Sequence, residues 1–472
     1  MNVIGRISET TILLNALENS KPELIVVFGR RRIGKTFLIR NVYRNRIVFE
    51  FSGIHNAPFR QQLENFHLTM AEKDTSFKRP AGWVEAFHQL GSYVNKIRSK
   101  KKKIIFIDEF PWLDTRKSNF LAAFDNFWNS FASKRNDLVV VICGSAASYM
   151  IQNIVRSKGG LHNRITEKIR LLPFNLAETE NFLVHNKVKL SRYDIAMLYM
   201  AIGGIPHYLE KIRPGESTSQ AIDRLGFHKD GFLRSEFENV FASLFNKHEN
   251  HEMIIRTLAS VRKGMTRNAI LAKSKINSGG TLSKTLADLE ESGFIEKYLP
   301  YKGSKDAIFR LTDEYSLFYL NFIEKTKPSK SSIWAKIQEQ QSWKIWSGFS
   351  FESLCLKHIS QIKERLKISG INSSAGSWHY KSDSGEAQID LIIDRADNVI
   401  NLCEIKFYNS PFRMDKKCAN NIMNKVNLFK EITRTRKSIF VTMITAHGLN
   451  SNEYSRQIVQ NELKIDSLFI DL

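Results

Sequence analysis

The chain has 472 residues, too many for one compact core, and at about 150 residues per domain it should divide into roughly three. Hydrophobic residues make up 42% and aromatics 11%, with 32 Phe, which excludes a disordered chain. Lysine and arginine number 70 against 48 aspartate and glutamate, and the resulting +22 favours a polyanionic partner, nucleic acid first and an anionic membrane surface second. No apolar run approaches the roughly 18 residues of a membrane span, and MNVIGRISET lacks a charged segment followed by an apolar one, so the expected location is cytoplasmic, with no membrane partner. Cys143, Cys355, Cys403 and Cys418 form no CxxC pair, three of them lie in apolar strand-like or helix-like contexts, and they read as buried thiols in a reducing compartment, not as a zinc site.

Over residues 1–173 short β-rich runs (ELIVVF, RIVFEF, KIIFID, DLVVVICGS, KIRLLPF) alternate with longer helical stretches, which predicts helices crossing over a largely parallel sheet. Lys100 to Lys103, ahead of KIIFID, reads as a solvated turn. Residues 174–247 read as a mostly helical lid, interrupted by Gly203-Gly204-Ile205-Pro206 and Arg213-Pro214-Gly215. Over 248–324 the helices MIIRTLASV, TRNAILAKS and GGTLSKTLADLEESGFI precede the strands IEKYLPY and DAIFRLTD, which flank Lys302-Gly303-Ser304, and this order predicts a winged helix. The basic, Pro328-broken KTKPSKSS opens an expected linker over 325–344. The last stretch, 345–472, reads as a second α/β domain with one helical stretch, the strands QIDLIID, VINLCEIKF and SIFVTMI, and a closing helix. The expected fold class is therefore α/β and multidomain.

GRRRIGKT, comprising Gly29, Arg30, Arg31, Arg32, Ile33, Gly34, Lys35 and Thr36, is a complete G-x-x-x-x-G-K-[ST] between a strand and the helical TFLIRNVY, which places Phe37 on the helix. Such a loop wraps phosphates with its backbone N–H groups and the helix N-terminus, and its glycines make the bends. Lys35 would contact the β and γ phosphates, and Thr36 would offer its hydroxyl to Mg²⁺. IIFIDEF is an apolar strand ending in two acids: Asp108 to hold Mg²⁺, Glu109 to orient or deprotonate the attacking water. The next strand ends in Ser145, placed to sense the γ-phosphate. ATP and Mg²⁺ are the implied cofactors.

With these motifs, CGSAASYM, LHNRITEKIRLLPF and GGIPHYL, about the first 245 residues resemble the archaeal-type ATPase family within the AAA-like and signal-transducing P-loop NTPases. The resemblance implies that the NVIGR around Gly5 and Arg6 packs by the adenine, that Ser145 is a sensor, and that GGIPHYL is a second sensor region. It also makes Arg164 a candidate finger or phosphate sensor, acting across subunits in a ring, and in cis or not at all in a monomer. Family members usually carry Gly-Arg there; this chain has Asn163-Arg164.

In the last domain Glu404 and Lys406 share one face of a strand, and a tight hairpin through Asp394 to Asn398 would bring Asp390 beside them. Two carboxylates can bind Mg²⁺ or Mn²⁺, and a neighbouring lysine can orient and help deprotonate water for phosphodiester hydrolysis. With Glu352 on the preceding helix, the constellation resembles the PD-(D/E)XK nuclease-like fold, which implies catalytic roles for Asp390, Glu404 and Lys406. Many domains of that fold have lost catalysis. His358 and His379 could assist but more often such residues are structural. In the winged helix, Ser283, Lys284 and Thr285 would face a duplex while Lys302 and Lys305 reach phosphates; such modules also dock proteins. The chain thus reads as an ATP-binding, ATP-hydrolysing protein that binds DNA and carries a Mg²⁺-dependent nuclease domain. The alternative is a nucleotide-switched regulatory ATPase with a non-catalytic nuclease-like domain. A protein partner and oligomerisation stay open.

Overall fold

The computed structural model describes residues 3–156, 160–161, 163–245, 248–276, 279–301, 306–329, 332–382 and 385–471. Two compact units emerge: Met1–Leu172 with Ser243–Asn246 and Glu291–Gly293, and the remainder of the chain. Among the described residues no helix is long and apolar enough to cross a membrane.

In the first unit the five β-rich runs become β1 (Glu23–Phe28), β2 (Ile47–Ser52), β3 (Lys103–Asp108), β4 (Leu138–Gly144) and β5 (Glu167–Arg170), in the order β2-β3-β4-β1-β5 with every pair parallel. Parallel strands need crossovers that cover both faces, which is why β1, β3 and β4 are apolar without alternation and buried throughout. Successive side chains feed two separate cores. Leu24, Val26, Ile105, Ile107, Val140 and Ile142 pack under α3 (Phe59–Ala71), α4 (Trp83–Lys96) and α5 (Phe120–Ser130). Ile25, Val27, Ile104, Phe106, Val139 and Val141 pack under α1 (Ile7–Glu18) and α2 (Lys35–Tyr43). The order 2-3-4-1-5 leaves the carboxyl end of β1 between β4 and β5, where open α/β sheets bind ligands.

Lys102 and Lys103 are not the solvated turn expected of the Lys100–Lys103 run. Lys102 is buried and donates to Ala16 O (3.0 Å), Asn19 Oδ1 (2.8 Å) and Lys21 O (2.6 Å), one acceptor for each ammonium hydrogen, while Lys103 pairs with Asp137. Burial lowers the Lys102 pKa, and Glu23 and Asp137 oppose that shift. Only the first two lysines of the run are exposed.

The second unit opens with α6 (Leu176–His185), α7 (Arg192–Ile202) and α8 (Phe232–Leu244), the first started by an Asn175–Glu178 capping box. Within it Gly204 is required sterically, since a Cβ there would lie 1.9 Å from Phe174 O. Next come α9 (Glu249–Ala259), β6 (Met265–Thr266), α10 (Arg267–Ser274), α11 (Gly279–Glu291), β7 (Ile295–Tyr298) and β8 (Ile308–Leu311), the strands forming an antiparallel β6-β8-β7 sheet. On α11 Ser283 and Lys284 are exposed, but Thr285 is buried and donates to Thr281 O, so it does not share their face. Lys302 and Lys305 lie outside the described residues.

Residues 334–344 are not linker. Trp334 opens α12 (Trp334–Glu339) fully buried, in edge contact with Phe318, Phe322 and Trp343 and stacked on Phe227; α13 (Gln341–Lys357) follows directly. Aromatic surface of this size is held in a core even when the preceding Pro-containing stretch reads as a breaker. Beyond it, β9 (Ser373–Ser382), β10 (Gly385–Arg395), β11 (Val399–Lys406), β13 (Ser438–Thr445) and β15 (Asn461–Lys464) form a mixed sheet ordered β15-β13-β11-β10-β9. A short ribbon pairs β12 (Phe412–Arg413) with β14 (Leu449–Asn450). Helix α14 (Lys416–Thr433) covers one sheet face with Ala419, Ile422, Val426 and Phe429, the i, i+3, i+7, i+10 stripe of an amphipathic helix.

Candidate functional site

β1 ends at Phe28, and the chain turns through Gly29 at φ +152° and Gly34 at φ +89° before entering α2. A Cβ on Gly29 would lie 2.2 Å from Leu171 O, so the turn there accepts only glycine. Arg32 also takes a left-handed conformation, φ 70°, while Ile33 is buried and anchors the loop. Lys35, 5% exposed, curls back under the loop and donates to Gly29 O (3.0 Å), Arg30 O (2.9 Å) and Ser145 Oγ (3.1 Å). Arg6, left-handed at φ 58°, reaches Ile33 O from the start of α1 (3.4 Å), which ties the NVIGR segment to this loop. Arg30 is buried, Arg31 is exposed, and Phe37 sits on α2 with its ring 43% exposed.

Across from the loop, Thr36 Oγ1 donates to Asp108 Oδ2 at 2.7 Å. A hydroxyl and a carboxylate so joined are hard oxygen donors of the kind Mg²⁺ takes when phosphate oxygens and water complete its shell, so the residues fit that ion. Among the described residues no group of three or more His, Cys, Asp and Glu is placed to hold a metal ion by itself. Glu109 stands in the left-handed region at φ 46°, a strain of about 1–2 kcal/mol for a residue with a Cβ. That backbone turns its carboxylate to Ser145, which donates from Oγ (2.6 Å) and N (3.2 Å). Lys35, Ser145 and Glu109 thus form one hydrogen-bonded chain at the carboxyl edge of the sheet. Gly53 makes room for it: a Cβ there would lie 2.7 Å from Glu109 O, a contact with no motif signal.

Arg164 is not part of this group. It precedes β5 and donates to Asn129 at the end of α5, at the amino edge of a parallel sheet whose loop lies at the carboxyl edge. Within one chain it does not meet Lys35. GGIPHYL lies in the second unit, with Tyr208 donating to Glu236.

The second constellation lies on β10 and β11. Their antiparallel ladder ends at the Leu391–Cys403 pair, and Asp390 and Glu404 are the next residues on the two strands. A bulge in β10 between Ile389 and Ile392, on its β9 side, falls at Asp390; such bulges re-aim a side chain. Asp390 accepts the Ile405 N–H (3.2 Å), and Glu404 is gripped by two lysines, Lys406 (2.8 Å) and Lys425 of α14 (2.7 Å). Burial would raise the Glu404 pKa, yet Lys406 and Lys425 hold it below its ordinary value. Burial and Glu404 push Asp390 up to about 6, and burial with Asp390 pushes Glu352 up to about 8. Lys406, which burial alone would lower, is raised by Glu404. Asp390 and Glu404 are hard oxygen donors suited to a divalent cation, though each Glu404 oxygen now faces a lysine.

Lys425 escaped sequence reading because it stands on a helix at no motif spacing from Glu404. His358 takes no part: its Nε2 accepts the Leu176 N–H (3.1 Å), its Nδ1 lies 2.8 Å from Leu354 O, and burial lowers its pKa to about 4. It is a neutral structural residue. His379, exposed on β9, faces Glu386.

Glu352 yields a pH-dependent prediction. Its folded-state pKa lies above the ordinary 4.5, so the fold binds its proton more tightly than the unfolded chain. The associated stability is complete below 4.5 and is lost as pH rises towards about 8. Glu352→Gln stays neutral throughout, so wild type should lose stability relative to the variant across that window in urea unfolding. A difference that stays constant with pH would show that Glu352 is not held protonated.

The parallel five-stranded sheet, with the Gly29–Thr36 turn leading from β1 into α2, is the arrangement typical of P-loop ATPases. Residues 4–212 match the family described as the ATPase domain predominantly from Archaea. The chain is 26% identical over 444 residues to the uncharacterized protein MJECL04 of Methanocaldococcus jannaschii, covering 90% of this chain and 92% of that one, so the likeness runs through both units. Among solved structures it is similar to a Walker-type ATPase of Pyrococcus abyssi (17% identity, 67% of this chain and 96% of that chain, TM-score 0.49) and to the ORC2 protein of Aeropyrum pernix in ADPNP–ADP complexes (16%, 68% and 94%, TM-score 0.41).

Proposed function

We propose that the protein is an ATP-hydrolysing, DNA-associated enzyme whose C-terminal domain is a Mg²⁺-dependent nuclease of the PD-(D/E)XK type. The observation that carries the first half is the Lys35–Ser145–Glu109 chain. Lys35 would exchange its loop carbonyls for the β and γ phosphates, Ser145 would sense the γ-phosphate, and Glu109 would orient or deprotonate the attacking water. Mg²⁺ held by Thr36 and Asp108 would neutralise charge developing on the phosphates. The observation that supports the second half is Asp390 and Glu404 on adjoining strands with Lys406 beside them. Lys406 would orient water towards a phosphodiester, and a cation on the two carboxylates would act as a Lewis acid. The helices and small sheet from α9 to β8 read as the winged helix, with Ser283 and Lys284 exposed on its third helix to contact phosphates; this and the +22 charge favour DNA as partner.

A regulatory ATPase with a silent nuclease-like domain is the second reading, favoured by the lysine on each Glu404 oxygen. One experiment divides the two: Mg²⁺ and Mn²⁺ cleavage of single-stranded, linear duplex and branched DNA, with and without ATP, by wild type, Asp390→Ala and Lys35→Ala. Cleavage lost in Asp390→Ala supports the nuclease. Intact ATP turnover with no cleavage under either metal supports the regulator.

A further inference from the structure

Helix α14 carries a row of basic and amide groups along its outer side. Lys416 and Lys417 occupy its first turn, where cations oppose the helix dipole, so they are not there to stabilise the helix. Lys417, Asn421 and Lys425 follow at i, i+4, i+8, stacked along one face roughly 6 Å apart. This ridge is shared by two open concavities. One, about 860 Å³, is floored by the start of β10. The other, about 680 Å³, leads down to Glu404 and Lys406.

The second concavity has an aromatic wall. Tyr408, two residues beyond Lys406, is 52% exposed and tilted against Phe412 with ring centroids 5.4 Å apart. A half-exposed ring just beyond the end of β11, lining the same groove as a row of cationic and amide groups, matches how proteins hold an unpaired strand: bases stack on the ring while lysines track the phosphates. A duplex offers no free base face to such a ring.

We propose that this groove binds single-stranded nucleic acid, with Tyr408 stacking on a base and the Lys417–Asn421–Lys425 ridge following the backbone towards Glu404 and Lys406. The inference rests on reading the Glu404 site as nuclease-like and gives that site its substrate class, a free or frayed strand. Lys425 is its inner end, 16% exposed and able to exchange Glu404 for a phosphate.

The test is anisotropy of a fluorescein-labelled oligodeoxynucleotide, single-stranded or annealed to its complement, with the full chain in EDTA and without nucleotide. No cleavage is possible under these conditions, so a failure of the nuclease reading cannot mimic a failure here. Tyr408→Ala should weaken single-strand binding about tenfold while Tyr408→Phe retains it. Lys417→Glu should weaken it further and lower the salt dependence by about one ion. Duplex binding should be unchanged in all three, and all should melt as wild type does. Single-strand affinity within about twofold of wild type in both Tyr408→Ala and Lys417→Glu would overturn the proposal. Equal losses for single strand and duplex would overturn its choice of an unpaired strand.

Discussion

Lys35→Ala is expected to lower ATP turnover by about 10²–10³-fold, the loss typical of deleting one preorganised donor to developing charge. Lys35 is buried and its ammonium donates to Gly29 O, Arg30 O and Ser145 Oγ, so alanine removes the charge and all three of those hydrogen bonds. Because the turns at Gly29 and Gly34 are backbone features, the loop should persist, and thermal melting should change far less than turnover. Phosphate release measured beside binding of a fluorescent ATP analogue checks both halves. Turnover within a few-fold of wild type would remove Lys35 from the chemistry.

Glu404→Ala should destabilise β11 and its contact with α14 by about 3 kcal/mol, the low end for breaking a buried ion pair because Lys406 is 30% exposed and can turn to water. The carboxylate is 6% exposed and accepts from Lys406 and Lys425 at once, so its loss leaves two cations together with Asp390 as a neighbouring carboxylate. Adding Lys425→Met should restore much of the stability, since a methionine fills the lysine stem's space without the charge. Hydrogen exchange of the β11 amides reads the effect locally. Equal protection in wild type and Glu404→Ala would mean that the two lysines are not held there by Glu404.

The chemistry that short motifs encode was legible in the sequence. Gly29 to Thr36, Asp108, Glu109 and Ser145 announce themselves because phosphate binding demands residue types at fixed spacing on consecutive elements of one sheet, and the structure joins Lys35, Ser145 and Glu109 directly. Asp390, Glu404 and Lys406 were legible for a related reason, as adjoining strands with a short hairpin have a register that can be counted. Residues brought in by other elements were not. Lys425 reaches Glu404 from a helix, Gly53 yields space to Glu109 from the end of β2, and Tyr408 matters only beside the groove wall of α14.

Burial also reversed readings based on composition. Lys102 and Lys103 look like surface lysines, yet carbonyls at the end of α1 and Asp137 satisfy them inside the fold. Trp334 follows a linker-like segment but belongs to an aromatic core contributed by Phe227, Phe318 and Phe322. His358 is spent on the amide that opens α6. The sequence by itself determined the parallel sheet, the phosphate loop and its acids, because apolar runs, glycine turns and motif spacing are local properties of the chain. Only the tertiary structure decided where Arg164 stands, that Lys102 is buried and that Lys425 joins Glu404, because those outcomes depend on partners more than a dozen residues away, whose approach no local pattern records.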